Sequence, residues 1–329
     1  VRIVFFGTPE FAVPSLEGLL GCRHTVVGVV TQPDRPRGRG QRVTDSPVKA
    51  VARANGLHVL QPTRLRDPEA MAALAALSPD LGVVAAYGKL IPAEMLQLPR
   101  LGMINVHASL LPKYRGAAPV HRAVINGETE TGVTIMRMVV GLDAGGMMAK
   151  VIRPIGPDET SDVVEADLAR LGVPPLLSVI DQLESGTARE EPQNDVQSSY
   201  AARLTKEEGL IDWTMAASVI HNRVRGLYPW PHAYTHSKGS RLIVLKSQVQ
   251  ETARGSGPAS EPGTVVDVSR DRVVVAAGQD TRLALEELQL EGRRAMTVRD
   301  FLTGHPMPVG TRLGSESYPT GVRVGSDPT

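Results

Sequence analysis

The opening stretch, VRIVFFGTPEFAVPSLEGLLGCRHTVVGVVT (Val1–Thr31), holds two continuous apolar runs separated by a helical pattern. Val1–Gly7 and Thr25–Thr31 lack the apolar/polar alternation of a half-solvated strand, so each reads as a strand covered on both faces. Phe11–Leu20 carries apolar residues at helical spacing between them. Strand, helix and buried strand within so short a span begin a parallel sheet with helical crossovers.

Working outward, the alternation continues. Ser46 caps a helix with Pro47 at its first position, running to about Asn55 and closed by Gly56. His58–Gln61 is a short strand, and Asp67-Pro68-Glu69 opens the next helix in the same way. Leu81–Tyr87 (LGVVAAY) and Met103–His107 (MINVH) are strands, followed by a helix around Pro119–Asn126. The expected fold class is α/β: a doubly wound, mostly parallel, Rossmann-like sheet. Strands at Thr131–Met138 and Met147–Ile155, joined by a short loop, would make it mixed at one side. A helical stretch from Ser161 to Leu183 is interrupted by Pro174-Pro175.

The texture then changes. Glu190–Ser199 (EEPQNDVQSS) is polar and aperiodic. The expected domains are 1–189 for the catalytic part, 190–206 as linker and 207–313 for a second domain. A tail at 314–329, with no apolar period, is expected to be disordered. In the second domain a helix at Ala216–Leu227 precedes short strands near Leu242–Gln250, Gly263–Val268, Arg272–Ala276 and Arg282–Leu290. That spacing suggests a small β-barrel, and Thr297–Thr303 a last helical turn.

Composition narrows the function. With 329 residues, 42% hydrophobic and 22% charged, the chain has ample core for two domains and is not a disordered protein. A net charge of +1 supplies no whole-molecule field for nucleic acid, so any such contact depends on local clusters. No apolar run approaches the ~18 residues of a membrane span. The opening VRIVFFG, without a charged leader, is read as that of a cytoplasmic protein. The single cysteine, Cys22, makes neither an internal disulfide nor a cysteine metal site. Gly7-Thr8-Pro9 after the first strand has neither the glycine pattern of a dinucleotide fold nor that of a P-loop.

In a doubly wound sheet, ligands bind at the carboxyl ends of strands. Asn105 and His107 lie there, two apart and so on one face, with Val106 on the other. An amide beside an imidazole can polarise a carbonyl and stabilise a tetrahedral oxyanion, and histidine moves protons near neutral pH. The glycine-rich loop Val140–Gly146 contains Asp143, which facing His107 would favour the charged imidazole and order a water. By residue type alone, a strand-end histidine also fits a structural role, and such a loop also fits a plain turn.

Asn105-Val106-His107 followed by SLLPKYRG, with a G-x-D-x-G loop downstream, resembles the 10-formyltetrahydrofolate-dependent formyltransferases. Within them the likeness is to the branch acting on methionyl-tRNA. It is carried by GTPEFAVPSL at Gly7–Leu16, TQPDRPRGRG at Thr31–Gly40, INVHASLLPKYRGAAP at Ile104–Pro119, GLDAGGM at Gly141–Met147, LTKEEGLIDW at Leu204–Trp213 and YPWPHAY at Tyr228–Tyr234. The resemblance covers about residues 2–313 and implies an OB-like barrel for the second domain. It implies Asn105, His107 and Asp143 as the catalytic trio. It further implies a pocket for 10-formyltetrahydrofolate lined by Ser109, Leu110, Leu111 and Pro112. The pterin would be held by the backbone around Tyr87, Gly88, Leu90 and Ile91 and around Met138, Val140, Gly141 and Leu142. It implies no metal, and a monomer as the working unit.

The partner implied is initiator methionyl-tRNA. The loop Gln32–Val43 carries Arg35, Arg37, Arg39 and Arg42 among glycines and prolines, a pattern that suits a phosphate clamp and also suits a solvated loop. In the second domain Arg223, Arg225, Lys246, Arg293 and Arg294 are the expected backbone contacts. Trp230, between Pro229 and Pro231, reads as a packing turn rather than a stacking platform. Three rival readings are a glycinamide ribonucleotide formyltransferase, a formyl-folate hydrolase and a catalytically silent RNA-binding protein. The first would need a phosphate loop after the first strand and leaves the second domain unexplained. The hydrolase would use the same trio with water as nucleophile.

Overall fold

The computed structural model describes residues 1–34, 36–37, 42–250 and 260–314, with only the backbone at 36–37 and 42–43. The chain divides into two compact units, Val1–Ala123 with Glu128–Arg203, and Val124–Gly127 with the residues from Leu204 onward.

The first unit is built in chain order from β1 (Arg2–Gly7), α1 (Val13–Leu20), β2 (Thr25–Val30) and a two-strand ribbon, β3 (Pro36–Arg37) with β4 (Arg42–Val43). There follow α2 (Pro47–Ala54), β5 (Val59–Leu60), α3 (Pro68–Ala76), β6 (Leu81–Ala85), α4 (Ala93–Leu96), β7 (Met103–His107) and β8 (Arg115–Gly116). After α5 (Pro119–Ile125) come β9 (Glu130–Arg137), β10 (Met147–Pro154), α6 (Ser161–Leu171), α7 (Val173–Ser185) and β11 (Tyr200–Ala201). The main sheet has the order β10-β9-β7-β6-β1-β2-β5. Its five strands from β7 to β5 are parallel, while β9 runs antiparallel to β7 and β10 to β9. The mixed edge follows from the short β9–β10 connection, which cannot make a parallel crossover.

Ile3, Val4, Phe5 and Phe6 are fully buried, as a strand covered on both faces must be. Val4, Phe6 and Val84 face a layer holding Leu74 of α3 and Met95 of α4, together with Tyr87 and Ile91. Helices α1, α6 and α7 pack together on the other layer. At Gly172, where α6 meets α7, an added Cβ would press on Val106 and Val133. Val106 therefore faces α6 and α7, and its neighbours Asn105 and His107 are turned to the α3–α4 side.

Local chemistry sets the helix ends. The Ser46 hydroxyl accepts from the Lys49 amide at 3.2 Å, whereas Asp67 makes no side-chain cap to α3 although it precedes the same proline pattern. The long helical stretch breaks at Gly172, not at Pro174-Pro175. Those prolines sit in the first turn of α7, where no intrahelical donor is required of them. The polar stretch read as a linker lies along the first unit. Glu191 exchanges two backbone bonds of 2.8 Å with Met147, Arg137 reaches Glu190 at 2.9 Å, and β11 pairs with β8.

The second unit contains α8 (Ala217–Gly226), β12 (Ala233–Ser237), β13 (Ser240–Gln250), β14 (Val265–Val268), β15 (Val273–Ala276), β16 (Arg282–Leu290), β17 (Met296–Thr297) and α9 (Val298–Gly304). The strands form an antiparallel sheet ordered β12-β13-β16-β15-β14, with β17 added on β16. Strand β12 was not foreseen, because its AYTHS has no clear apolar alternation. Among the described residues no helix is long and apolar enough to cross a membrane.

Candidate active site

Strand β7 presents Asn105 and His107 on one face, and the two segments that complete the site approach from opposite ends of that strand. The first continues beyond His107. It is pinned to β9: the Thr134 hydroxyl donates to the Ser109 carbonyl at 2.7 Å and accepts from the Leu111 amide at 3.2 Å. The segment then turns through Tyr114, whose φ is 62°, and its carbonyl lies 3.0 Å from His107 Nε2. A carbonyl only accepts, so the proton of this bond sits on Nε2 and the free ring position is Nδ1.

The second segment, residues 138–146, leaves β9 beside the start of β7, where the Met138 amide bonds the Met103 carbonyl at 2.9 Å. It closes on Gly145, where a Cβ would stand 1.9 Å from the Arg137 carbonyl oxygen, so only glycine fits. Asp143 holds a left-handed backbone, φ 47°. Its Oδ2 accepts from the Gly116 amide at 2.9 Å and lies 3.7 Å from His107 Nδ1. That separation is beyond a direct hydrogen bond and within ion-pair range. The two side chains are largely enclosed, at 6% and 16% exposure. Asn105 is half-buried, and no described residue hydrogen-bonds its carboxamide. The structure therefore places a proton-carrying ring, a carboxylate and an amide with no hydrogen bond to a described residue on one side of β7.

The residues expected to hold a folate fall into two groups. Leu90 is 79% exposed, Val140 77% and Leu142 46%, all close in sequence to Ile91 and Met138 of one buried cluster. Gly88 takes φ 82°. Exposed aliphatic groups of this kind suit the faces of a flat heterocycle. Tyr87, Ser109 and Leu111, by contrast, are buried and have no side chain to offer. Tyr87 packs edge-on against Phe6 at 5.4 Å. Its hydroxyl has no partner among the described residues, and burial pushes it up to about 12. The Tyr87 carbonyl already accepts from Thr8 and Gln32. Ser109 donates its hydroxyl to the Lys113 carbonyl at 2.7 Å, and Leu111 packs with Met136 and Met147, because the loop folds back on β9. Leu110 lies over Gly132, half-buried like Pro112. A cleft of about 320 Å³ on the α3 side is lined by Phe6, Leu65, Leu74 and Met95 with Gln61 and Asp67, and by none of the expected folate residues.

Of the arginines expected at tRNA, Arg35 and Arg39 lie outside the described residues, and Arg37 and Arg42 pair by backbone in the β3–β4 ribbon. Arg225 is a correction: it is 6% exposed and directs its guanidinium at the side-chain Oδ1 of Asn222, since it falls on the packed face of α8. Arg223 is half-buried and donates to the Glu208 carbonyl. Lys246 reaches Glu286 at 3.1 Å, and Arg293 and Arg294 are exposed. The one described cluster with metal-ligand spacing, His24, Asp181 and Glu184, is instead paired to Arg23, which holds the Asp181 carboxyl below the usual carboxylate range.

Sequence reading passed over Gln193. Its Nε2 donates to the carbonyls of Asp143 at 2.7 Å and Gly145 at 2.8 Å, and its Oε1 accepts from Arg115 Nε at 3.0 Å. A polar residue in an aperiodic stretch carries no local signal of bonds made some 50 residues away.

Comparison with known proteins extends the picture. The formyl transferase family model matches residues 1–180, and the model of the formyl transferase C-terminal domain matches residues 203–306. The methionyl-tRNA formyltransferase of Alkaliphilus metalliredigens is 45% identical over 316 residues, covering 96% of this chain and 99% of the relative. That of Citrifermentans bemidjiense is 47% identical over 322 residues, 98% and 99% of the two. Among solved structures, the N-formyltransferase of Helicobacter canadensis in complex with folinic acid and dTDP-3-aminofucose superposes with a TM-score of 0.64 at 18% identity, over 87% of this chain and 98% of that one. At that identity the likeness is one of fold.

Proposed function

The chain belongs to the methionyl-tRNA formyltransferase family, and from that premise we propose how its own residues work. The reaction is transfer of a formyl group from 10-formyltetrahydrofolate to the α-amine of methionyl-initiator tRNA, for translation initiation, by direct attack of the amine. We assign catalysis to Asn105, His107 and Asp143.

The observation that carries the assignment is the unbonded Asn105 carboxamide beside an imidazole whose Nδ1 is turned to a carboxylate 3.7 Å away. 10-Formyltetrahydrofolate supplies the formyl carbon and a ring-bearing nitrogen as leaving group. Leu90, Val140 and Leu142 fit its flat ring, with Gly88, Ile91, Met138 and Gly141 shaping the backbone around it. Tyr87, Ser109 and Leu111 support that surface from beneath, and Leu110 and Pro112 border it. The Asn105 amide donates to the formyl oxygen as negative charge develops there. His107, protonated at Nδ1, shares that oxyanion. Asp143 faces Nδ1 and accepts, directly or through a water, the proton released by the attacking amine. As the tetrahedral intermediate collapses, the bond from the formyl carbon to the folate nitrogen breaks and that nitrogen takes the proton of His107 Nδ1. Nδ1 is the one ring position free to move a proton because Nε2 is committed to the Tyr114 carbonyl, and the proton that Asp143 took from the amine restores the ring.

The second unit is read as an OB-like barrel that grips tRNA, supported by its antiparallel sheet and by the register breaks that bend β13 near Lys246. Lys246, Arg293 and Arg294 are its proposed phosphate contacts, with Arg223 a further one. Arg35, Arg37, Arg39 and Arg42 are assigned to the acceptor end. Asn105, His107 and Asp143 all come from one unit, which supports a monomer. Charged initiator tRNA is a cytoplasmic substrate, which supports that location.

The test pairs formyl-folate with charged initiator and elongator methionyl-tRNAs. Selective formylation of the initiator is expected, and release of formate without product on either tRNA would favour the hydrolase reading. Arg39→Ala should raise KM for tRNA far more than for folate, and equal loss for both substrates would remove the clamp.

A further inference from the structure

Between the two segments that meet at His107 lies a third, residues 190–201. Its backbone and side chains tie the other two together: Arg115 N bonds the Ser199 carbonyl at 2.8 Å, and Tyr114 N bonds the Ser199 hydroxyl at 2.9 Å. Gln193 stands where all three touch. One carboxamide draws in the carbonyls of Asp143 and Gly145 and accepts from Arg115, whose guanidinium also reaches Asp195 at 2.7 Å.

These contacts bear on a backbone that needs holding. Asp143 is a non-glycine residue at φ 47°, a conformation that persists where its surroundings impose it. Both donors of the Gln193 amide are spent on that turn, one on either side of Ala144. Its acceptor is spent on Arg115, next to Tyr114, whose carbonyl fixes the tautomer of His107, and next to Gly116, whose amide holds the Asp143 carboxylate. We propose that Gln193 is a positioning residue for the formyl transfer, setting the placement of the Asp143 carboxylate against His107 Nδ1. The inference rests on the catalytic reading of His107 and Asp143. It assigns work to a residue that meets Asp143 only at its backbone carbonyl and makes no bond to His107.

The roles of the amide can be separated. Gln193→Glu keeps the shape and the acceptor for Arg115 but replaces the two donations by repulsion from two carbonyls. Gln193→Ala removes everything. In both, kcat for tRNA formylation should fall by on the order of 10²-fold, as expected for a small misplacement of a reacting group, with KM for formyl-folate within about twofold of native. The Gly116 amide gives a reading independent of turnover. Its proton resonance should move upfield in Gln193→Ala in the same direction as in Asp143→Ala, because both lose the carboxylate it bonds.

Native turnover in Gln193→Glu, a KM effect with kcat preserved, or an unmoved Gly116 resonance in a slow Gln193→Ala would each overturn the proposal. A Gly116 resonance that moves while turnover stays native would overturn the catalytic reading of Asp143 instead, so the two failures are distinguishable. The amide spectrum of each variant reports in the same experiment whether it has folded.

Discussion

Asp143→Asn removes a charge and almost nothing else. Asparagine keeps an oxygen to accept from the Gly116 amide, keeps the volume, and is at ease at positive φ, so the turn and its bonds to Gln193 remain. What is lost is the carboxylate as acceptor of the amine's proton and, on the side that can be sized, its field 3.7 Å from Nδ1. For unit charges at that distance and an effective dielectric of about 20, the interaction is about 4 kcal/mol. Water reaching the 16% of the aspartate side chain that is exposed reduces it, leaving about 3 kcal/mol, or roughly 10²-fold in rate. The expected outcome is a kcat lower by about 10²–10³, folate affinity within twofold of native and a melting temperature equal to native or slightly above it. Single-turnover formylation of methionyl-initiator tRNA, with folate binding by titration, measures both. A kcat within threefold of native would refute the reasoning, since the carboxylate charge would then contribute nothing to the transition state.

Asn105→Ala should lower kcat by about 10²–10³ and leave the melting temperature unchanged within about 2 °C, because the carboxamide has no bond within the described fold to lose; a large drop in stability would show a structural role. Gly145→Ala forces a Cβ to 1.9 Å from the Arg137 carbonyl, so a thermal melt should fall by roughly 5 °C or more and turnover should vanish, while an unchanged melt would mean that the loop relaxes freely. At the base of the arginine loop, Lys49 is paired with Asp34 and Asp45. The Asp34 carboxyl is held low chiefly by Lys49, and that of Asp45 by Arg53 and then Lys49. Depressed folded values mean that their stabilisation is present above the ordinary carboxylate range, near pH 4, and is lost as pH falls through the lower folded values. Denaturant melts from pH 7 to 3 should therefore show a smaller acid loss for Lys49→Met than for the native chain, and parallel curves would contradict the pairing.

Much of the fold could be read from pattern because its signals are local. Met103–His107 and Arg282–Leu290 have the bounds expected of them, and the Ser46-Pro47 start is a side-chain-to-amide bond three residues long. The α6–α7 boundary was misplaced because a proline pair resembles a break until its position in the first turn is known. Strand β12 escaped because one of its polar residues is turned inside; Thr235, fully buried, accepts from Trp213. In the site, Asn105 and His107 announce themselves by sharing a strand face. The pairing of His107 with Asp143 came from family likeness, and the structure supplies its distance. The Tyr114 carbonyl and Gln193 leave no trace in the sequence, since backbone acceptors are common to all residues and the partners are distant. Arg225 was misassigned because charge was taken to mean exposure, whereas its polar neighbour Asn222 makes burial tolerable.

The left-handed turn at Asp143 sets a trap for anyone hardening this protein against heat. Asparagine tolerates that conformation better than aspartate and would still catch the Gly116 amide. With Asp143 catalytic as proposed, a library sorted only by survival at high temperature would thus enrich a neutral side chain at 143 and return robust, idle molecules. Sorting by formylated product at each round is what would keep the carboxylate in the population.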